Sequence, residues 1–187
     1  MSEGIVIGGS GGQGVLFIGR LLAEAAVLEG REVVWLPSYG AEKRGGNVWC
    51  HVTISDEKIG ELFVTSPSVA IAMNASSLAK LEPMIKSKGL LVVNQSLATG
   101  SIRRVDIRTL GIPATDLALK LGDDSVASLV ALGALVAVRP IVSIGELNAV
   151  MDTLLSKSSR LEMNKKALSK GFAFMREAMV EKGAVKT

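Results

Sequence analysis

The amino-acid sequence predicts an α/β fold: a three-layer α/β/α sandwich on a mostly parallel sheet with an antiparallel hairpin, followed by a helical C-terminal third. Short aliphatic runs alternate with segments of helical periodicity through the first two thirds of the chain. A glycine-rich turn joins the first aliphatic run to the first helical segment. With 187 residues, of which 48% are hydrophobic, the chain can fill one sizeable core, so we expect residues 1–187 to form a single domain.

The chain opens with a strand–helix–strand pattern. Residues 4–8 form an aliphatic run, and residues 13–29 carry apolar side chains on one helical face. Gly30 stands where a glycine commonly ends a helix. Residues 33–36 form the second aliphatic run, which Pro37 stops. This βαβ pattern predicts parallel strands joined by a right-handed crossover.

The next strand indicates that the sheet is mixed. Apolar residues at 48, 50, 52 and 54 alternate with less buried types, the pattern of a strand with one buried face. Residues 56–58 predict a turn, and residues 60–64 are a candidate for the returning strand. We therefore expect an antiparallel hairpin within an otherwise parallel sheet.

The remaining elements follow from the same patterns. Further strands are predicted at residues 68–73, 89–93 and 102–105, and further helices at residues 76–85, 113–121, 126–138 and 143–155 and from 161 onward. The helix over 126–138 is apolar on every side, which predicts a deeply buried or interface helix. Ser143 and Glu146 have the spacing of a helix N-terminal cap.

Composition excludes several classes of function. The net charge is +3, the 21 Lys and Arg residues are scattered, and aromatics make up 4%, so no nucleic-acid partner is expected. Residues 1–4 lack the basic and apolar regions of a signal peptide. The longest uncharged apolar run, 126–138, is too short to span a bilayer. We expect a soluble, cytoplasmic protein with no membrane partner.

The chain has one cysteine, Cys50, and one histidine, His51. It can form no internal disulfide, and it cannot by itself supply the ligands of a cysteine-bound zinc site or iron–sulfur cluster. Cys50 lies on the apolar face of its predicted strand and is interpreted as an inert core thiol. His51 is interpreted as a half-buried structural residue. We predict no catalytic residue and no metal site.

Four polar or glycine-rich stretches follow predicted strands. They are residues 8–14, residues 37–46, Asn74 with Ser76 and Ser77, and residues 94–96. Ligands of open α/β sheets bind outside the carboxyl ends of the strands. The four stretches are therefore predicted to line one crevice.

The first of these stretches, residues 9–14, satisfies the Rossmann-like pattern G-x-G-x-x-G. A dinucleotide site also needs an acidic residue at the end of the second strand, where residues 35–38 have none. Arg44 could meet a 2′-phosphate, but it lies well into the following loop. Val15 stands where a P-loop needs lysine. NAD(P) and P-loop sites are thus disfavoured, and a turn needed only for close packing remains an alternative.

The second stretch, residues 37–46, is glycine-rich yet carries Tyr39, Glu42, Lys43 and Arg44. Such a mixture in a long connection is typical of a loop that contacts a ligand or a partner. A solvent-exposed loop is the alternative.

The two glycine motifs together resemble those of the gamma subunit of 2-oxoacid:ferredoxin oxidoreductases. The first is G-x-G-G-Q-G at residues 9–14, and the second is S-Y-G-x-E-x-R-G-G at residues 38–46, a form closest to the 2-oxoglutarate or branched-chain type. The resemblance to this family also includes Met73-Asn74, residues 110–115, and Asn164, Ala167 and Gly171. It therefore covers about residues 4–178. The paired motifs are more specific than either loop alone.

The resemblance implies a subunit of an enzyme that decarboxylates a 2-oxoacid, transfers the acyl group to coenzyme A and passes two electrons to ferredoxin. It implies partners, namely alpha, beta and in some complexes delta subunits, with ferredoxin contacted indirectly. Thiamine diphosphate, Mg²⁺ and the iron–sulfur clusters would lie on those partners. The isolated chain should be inactive and could form a homodimer.

Two roles for the chain are open. It could hold coenzyme A, with phosphates at the helix N-terminus over residues 11–14 and Arg44 nearby. It could instead have a purely architectural role, docking the catalytic subunits through residues 37–46 or through the apolar helix 126–138. The predicted cofactor-binding residues are Gly9, Gly11, Gly12, Gln13, Gly14, Ser38, Tyr39, Arg44 and Asn74.

Two alternatives to this function remain at the level of sequence. The beta subunit of indolepyruvate:ferredoxin oxidoreductase shares the domain. A free-standing NAD(P)-binding reductase is the alternative from a different class.

Overall fold

The structure is a computed structural model that describes residues 2–39 and 46–181. Arg44 and the middle of the second glycine motif therefore lie outside the described residues. Within the described part the strands are β1 (Ser2–Ser10), β2 (Glu32–Tyr39), β3 (Asn47–Ser55), β4 (Val69–Ala72), β5 (Leu90–Asn94) and β6 (Arg108–Ile112). The helices are α1 (Val15–Leu28), α2 (Ala75–Leu81), α3 (Ala114–Lys120), α4 (Ala127–Val138), α5 (Ile144–Leu154) and α6 (Leu161–Glu181).

The described strands form one mixed sheet in the order β2-β3-β1-β4-β5-β6. Strands β1, β4, β5 and β6 are parallel, whereas β3 is antiparallel to both β1 and β2. β1 and β2 thus point in the same direction, as the βαβ pattern predicts, but β3 lies between them. The register of β3 against β1 runs from Ser2 opposite Ser55 to Ser10 opposite Asn47. The mixed sheet with an antiparallel hairpin is confirmed.

Two of the strand predictions are wrong. Residues 60–64 form no strand, because β3 already pairs with β2 and β1 along its two edges. Residues 102–105 form no strand either, and Val105 is 98% exposed. The last strand is instead β6, which pairs with the edge of β5. Its first two residues, Arg108 and Thr109, are exposed, so its apolar signal in the sequence is short.

The two faces of the sheet are covered unequally. Helices α1, α3, α4 and α5 pack their apolar residues on one face, with α6 lying on α4. On the other face the buried residues of α2 and of the segment that follows it cover the central strands. Val34 and Leu36 of β2 belong to neither core and are only half-buried. One face of β2 and β3 is therefore partly open.

Helix α4 is a core helix, since every residue from Ala127 to Val136 is buried. It contacts α6 at two glycines: a Cβ on Gly133 would overlap the carbonyl oxygen of Leu168, and one on Gly171 would overlap that of Val130. Burial of this helix was predicted correctly. Its use as a docking face is wrong, because the chain's own sheet and α6 already cover it.

Candidate functional site

The glycine loop connects the carboxyl end of β1 to α1. Gly12 and Gly14 have positive φ values of 92° and 75°, which residues with a side chain rarely adopt. A Cβ on Gly9 would lie 2.8 Å from Gln13 Oε1, and one on Gly14 would overlap the Ser128 hydroxyl. Around Gly12, by contrast, no atom lies within 4 Å of where a Cβ would be. Close packing thus explains Gly9 and Gly14, while Gly12 faces open space.

A hydrogen bond ties the loop to the end of the second glycine motif, because the Gly11 amide donates to the Gly46 carbonyl at 3.0 Å. The first turn of α1 has no capping side chain and no acidic residue. The first amide groups of a helix have no partner within the helix, so they give its N-terminus a partial positive charge. This turn is therefore suited to an anion.

Gln13 and Asn74 fix each other at the ends of two neighbouring strands. Gln13 Oε1 accepts from the Ser10 amide at 2.7 Å and from Asn74 Nδ2 at 3.1 Å. Asn74 Nδ2 also donates to Ser10 Oγ at 2.8 Å, while Asn74 Oδ1 accepts from the Ser77 amide at 2.9 Å and caps α2. These two predicted site residues do come together, and they hold the loop in shape.

Polar side chains also follow the next strand, β5, and extend the group around Asn74 into a row along the strand ends (the polar row). Asn94, fully buried at the end of β5, donates through Nδ2 to the Met73 carbonyl at 3.1 Å and to Thr115 Oγ1 at 2.9 Å. Ser96 Oγ accepts from the Asp116 amide at 3.2 Å, at the start of α3. The ends of β1, β4 and β5 therefore form one continuous edge, as the sequence predicts.

Ser38 does not reach the glycine loop. On β2 it is exposed and lies opposite Trp49, which in turn lies opposite Gly8 of β1. Two strand spacings, or about 10 Å, separate Ser38 from β1. The backbone of Tyr39 pairs with Val48. The predicted contribution of Arg44 falls outside the described residues.

Two hollows adjoin the loop, and Gly12 lines both. The smaller, of about 130 Å³, lies towards β4 and is lined by Gln13, Met73 and Thr115 among others. The larger, of about 250 Å³, lies towards the C-terminal helices and is lined by Gly14, Phe17, Ser128, Arg160 and Asn164 among others. The loop thus has accessible space on either side.

Sequence reasoning did not select the residues on the helix side as site residues. Ser128 is recognisable in the sequence as an interruption of an apolar helix, and Asn164 lies on the apolar face of α6. Arg160 donates through Nη2 to Asp123 Oδ2 at 2.6 Å. The pKa of Asp123 is lowered from its ordinary value, first because Ser125 hydrogen-bonds to its carboxylate and then because Arg160 lies beside it.

Cys50 and His51 have the structural surroundings expected of them. Cys50 is fully buried, which raises the pKa of its thiol to about 11, and its sulfur accepts from Trp35 Nε1 at 2.9 Å. His51 is half-buried, with its ring edge-on to Phe63 at 6.3 Å between centroids. Partial burial lowers the pKa of His51. Residues 2–39 and 46–181 contain no group of three or more His, Cys, Asp or Glu side chains placed to hold a metal ion.

Among the helices of the described residues, none is long and apolar enough to cross a membrane.

The relatives of this chain fall into two groups: proteins much longer than this chain, and proteins of about the same length. The ketoisovalerate oxidoreductase subunit VorA of Methanothermobacter thermautotrophicus is 35% identical over 176 residues, which are 92% of this chain and 36% of that protein. The 2-oxoglutarate synthase subunit KorC of Methanocaldococcus jannaschii is 34% identical over 183 residues, which are 95% of this chain and 96% of that one. This chain therefore spans about a third of the first relative and nearly all of the second.

The similar solved structures also include one chain of about the same length and one that is much longer. The gamma subunit of keto/oxoacid ferredoxin oxidoreductase from Geobacter sulfurreducens has a TM-score of 0.78 and 30% identity, over 94% of this chain and 99% of that one. The 2-oxoglutarate:ferredoxin oxidoreductase from Magnetococcus marinus, solved with 2-oxoglutarate, coenzyme A and succinyl-CoA bound, has a TM-score of 0.86 and 25% identity. That match covers 95% of this chain and 31% of the Magnetococcus chain.

The family match is equally extensive, since residues 4–174 match the pyruvate ferredoxin/flavodoxin oxidoreductase family. They include the glycine loop, the polar row at the strand ends and all but the last turns of α6. The chain belongs to the pyruvate ferredoxin/flavodoxin oxidoreductase family.

Proposed function

We propose that this chain is the gamma subunit of a 2-oxoacid:ferredoxin oxidoreductase complex. The complex converts a 2-oxoacid and coenzyme A to an acyl-CoA and carbon dioxide, and the two electrons released reduce ferredoxin. The observation that carries the proposal is end-to-end similarity to free-standing chains of such enzymes, 96% of a KorC subunit and 99% of a gamma subunit. This similarity favours the gamma subunit over an indolepyruvate oxidoreductase beta subunit or a free-standing NAD(P) reductase.

The chemistry of the described residues supports a non-cluster subunit. An iron–sulfur cluster needs several cysteine thiolates, whereas this chain has only Cys50, buried and with a pKa of about 11. When bound, thiamine diphosphate would supply the decarboxylation chemistry and iron–sulfur clusters the electron path. Both are proposed to lie on partner subunits, so this chain contributes assembly and ligand contacts.

The ligand contact we propose is coenzyme A. Its phosphates would lie at the uncapped first turn of α1, over Gly11 to Gly14, with Arg44 completing the site. A relative of this chain has been solved with coenzyme A bound. In this proposal Gln13 and Asn74 hold the loop in the shape that lets a phosphate approach Gly12.

Calorimetry of coenzyme A binding to the assembled complex tests this site. Gly12→Ala and Arg44→Gln should each weaken binding. Gly30→Ala is the matched control, because Gly30 also has a positive φ and open space around it but lies at the far end of α1. If the affinity for coenzyme A is unchanged in Gly12→Ala and also in Arg44→Gln, the coenzyme A proposal is overturned.

The partly open face of β2 and β3 supports a docking role for the chain. Leu36 and His51 lie opposite each other on this face, and Phe63, which contacts His51, is 65% exposed. VorA is about three times as long as the region that it shares with this chain, and its remaining part is a model for a partner of this face. We propose that the partner subunit equivalent to that part covers Leu36 and Phe63.

Affinity purification of the tagged chain from native extract tests both proposals. Subunits that carry thiamine diphosphate and iron–sulfur clusters should co-purify, and a Leu36→Ser/Phe63→Ser variant should lose them. Val27→Ser/Leu28→Ser is the control, because both of these apolar residues are 59% exposed on α1, away from the open face. Purification of the chain without any such subunit contradicts the gamma-subunit proposal. Retention of the partners by the Leu36/Phe63 variant contradicts only the docking face.

A further inference from the structure

We propose that the surface at the amino ends of β5 and β6 is a docking site for an acidic segment of another protein. Four exposed cations lie there, Lys86, Lys88, Arg103 and Arg108, and we call them the basic corner. A groove along α2 leads to the basic corner and would hold apolar side chains of the same segment. The basic corner lies at the opposite end of the parallel strands from the glycine loop. The inference does not depend on the gamma-subunit proposal.

The first support is the uneven distribution of charge. Residues 75–112 contain six Lys and Arg against two Asp and Glu, whereas the rest of the chain contains 15 against 16. The chain therefore owes its net charge of +3 to this one segment. The basic residues are scattered along the sequence, and the excess arises because few acidic residues accompany them here. Such a local excess attracts a partner of opposite charge.

The two carboxylates of this segment are already engaged within the fold. Asp106 accepts from Arg104, from Nε at 2.8 Å and from Nη2 at 2.5 Å, and this contact lowers the pKa of Asp106 to about 2. Glu82 Oε1 accepts from the amides of Arg103 and Arg104, at 2.5 and 2.8 Å. By contrast, the side chains of the basic corner make no hydrogen bond or ion pair among the described residues. Their charges are therefore available to a partner.

Backbone hydrogen bonds bring the basic corner together. The Lys88 amide donates to the Asp106 carbonyl at 2.8 Å, and the Arg108 amide donates to the Gly89 carbonyl at 2.8 Å. These bonds join the turn before β5 to the segment that leads into β6. Cations that are about 20 positions apart in the sequence thus lie at one corner of the sheet.

The second support is the backbone of Lys88. Its φ is 62°, and among the described residues it is the only one with a side chain that has a positive φ. This left-handed conformation suits glycine and is unfavourable for lysine. Residues held in such conformations occur preferentially at functional sites. A lysine here lowers the stability of the chain, which favours a role for its charge in binding.

The groove along α2 supplies an apolar surface next to these charges. It has a volume of about 550 Å³ and reaches Arg103 and Arg104 at one end. Its α2 side is apolar, with Leu78, Ala79 and Pro83 in the lining. A protein segment that carries carboxylates and apolar side chains close together would fill both parts, with its apolar side chains in the groove and its carboxylates at the basic corner.

Two other anionic partners fit this surface less well. Proteins that hold nucleic acid strands combine cations with aromatic rings on which the bases stack, and none of the described residues that line the groove is aromatic. Helices that bind anionic membranes present several large apolar side chains. Within residues 86–89 and 103–108, only Val105 is large, apolar and exposed. An acidic protein segment therefore suits the surface best.

Three probes test the proposal on the purified full chain at near-physiological salt: a labelled peptide of alternating glutamate and leucine, labelled single-stranded DNA, and vesicles of phosphatidylcholine and phosphatidylserine. The peptide should bind, as measured by fluorescence anisotropy, and its affinity should fall as salt is added. Lys88→Glu and Arg103→Glu should each weaken binding about fivefold. Ala79→Gln, which narrows the groove, should weaken it as well. Absence of peptide binding, or tighter binding of the DNA or the vesicles, would overturn the proposal.

Lys166→Glu is the matched control, because Lys166 is exposed on α6 and has no partner among the described residues. It changes the net charge by the same amount and should leave peptide binding unchanged. An equal loss of binding in Lys166→Glu and Lys88→Glu would overturn the proposal, since only the net charge would then matter.

Lys88→Gly separates the charge of Lys88 from its effect on the fold. This variant removes the ammonium group and relieves the left-handed backbone, so it should raise the midpoint of chemical unfolding and still weaken peptide binding about threefold. Peptide binding as tight as that of the parent chain would overturn the role of Lys88. None of these results bears on the gamma-subunit proposal, which co-purification tests separately.

Discussion

The two edges of the sheet differ in how their polar groups are used. At the amino edge, Glu3 is 4% exposed and accepts from Arg139 Nη2 at 2.5 Å and from the Ser68 hydroxyl. At the carboxyl edge, on the helix side of the loop, Ser128 is 1% and Asn164 7% exposed, and neither side chain has a partner among the described residues. One edge therefore holds a paired buried charge, and the other holds neutral polar groups without a partner among the described residues.

This difference gives the two edges of the sheet different roles, one in the stability of the fold and the other in ligand binding. The Glu3–Arg139 pair joins residues 136 positions apart and attaches the segment after α4 to β1. Buried charges persist only when they are paired, and Glu3 is held by Arg139 and Ser68. Ser128 and Asn164 instead line a hollow beside the glycine loop. Substitutions of the Glu3–Arg139 pair should change unfolding, and those at the carboxyl edge should change ligand binding.

The largest effect is expected where the C-terminal helices touch. Gly171→Ala places a methyl group on the carbonyl oxygen of Val130 and should lower the free energy of unfolding by about 3 kcal/mol. Chemical unfolding measures the effect. Gly145→Ala is the control, since its Cβ meets nothing closer than 3.6 Å, and it should be neutral or slightly stabilising.

Removing the charge pair tests the amino edge alone. Glu3→Ala leaves the Arg139 guanidinium, which is about one third exposed, without its carboxylate and should cost about 2–3 kcal/mol in chemical unfolding. Binding of coenzyme A to the assembled complex should not change. Glu24→Ala removes the exposed partner of Arg20 and should alter stability by less than about 0.5 kcal/mol. Equal losses in the two variants would show that burial of Glu3 adds nothing.

A smaller effect is expected from pH, and it arises between the two edges, in the middle of β3. The Cys50 thiol has a pKa of about 11 in the folded chain against 9.0 ordinarily, so above pH 9 the unfolded chain ionises first. The stability contributed by this thiol is complete below pH 9 and is lost as the pH rises to 11, by about 2 kcal/mol. Unfolding of the parent and of Cys50→Ala between pH 8 and 11 measures it. A slope that persists unchanged in Cys50→Ala would contradict the assignment.

The smallest effect compares two glycines with positive φ. Gly12→Ala and Gly30→Ala should each cost about 1 kcal/mol of stability, because neither site is crowded and both impose the same left-handed backbone. Only Gly12→Ala should also weaken ligand binding, since Gly30 lies at the far end of α1. A matching loss of binding in Gly30→Ala would mean that helix stability, and not the loop, controls the site.

Local patterns in the sequence predicted most of the elements. The aliphatic runs of β1, β4 and β5 and the periodicity of α1 and α6 depend on neighbouring residues alone. The position of β3 between β1 and β2 could not be read in this way, because strand order depends on pairing between distant segments. β6 was not predicted from the sequence, because Arg108 and Thr109 are exposed at the sheet edge and leave only a short apolar pattern.

The candidate site was predicted on one side only. The glycine pattern and its position after a strand identified Gly12, Gln13 and Asn74. Ser128 and Asn164 are distant in sequence, and each looks like an ordinary interruption of an apolar helix face. Their place beside the glycine loop follows from the contact of α4 with α6, which brings both to the hollow that Gly14 also lines.

Reconstitution of activity tests the central claim most directly. Partner subunits carrying thiamine diphosphate and iron–sulfur clusters would be purified without this chain and assayed for reduction of ferredoxin with a 2-oxoacid and coenzyme A. We predict that activity requires addition of this chain and that the Leu36→Ser/Phe63→Ser variant fails to restore it while Val27→Ser/Leu28→Ser succeeds. Full activity of the partner subunits without this chain would contradict the account.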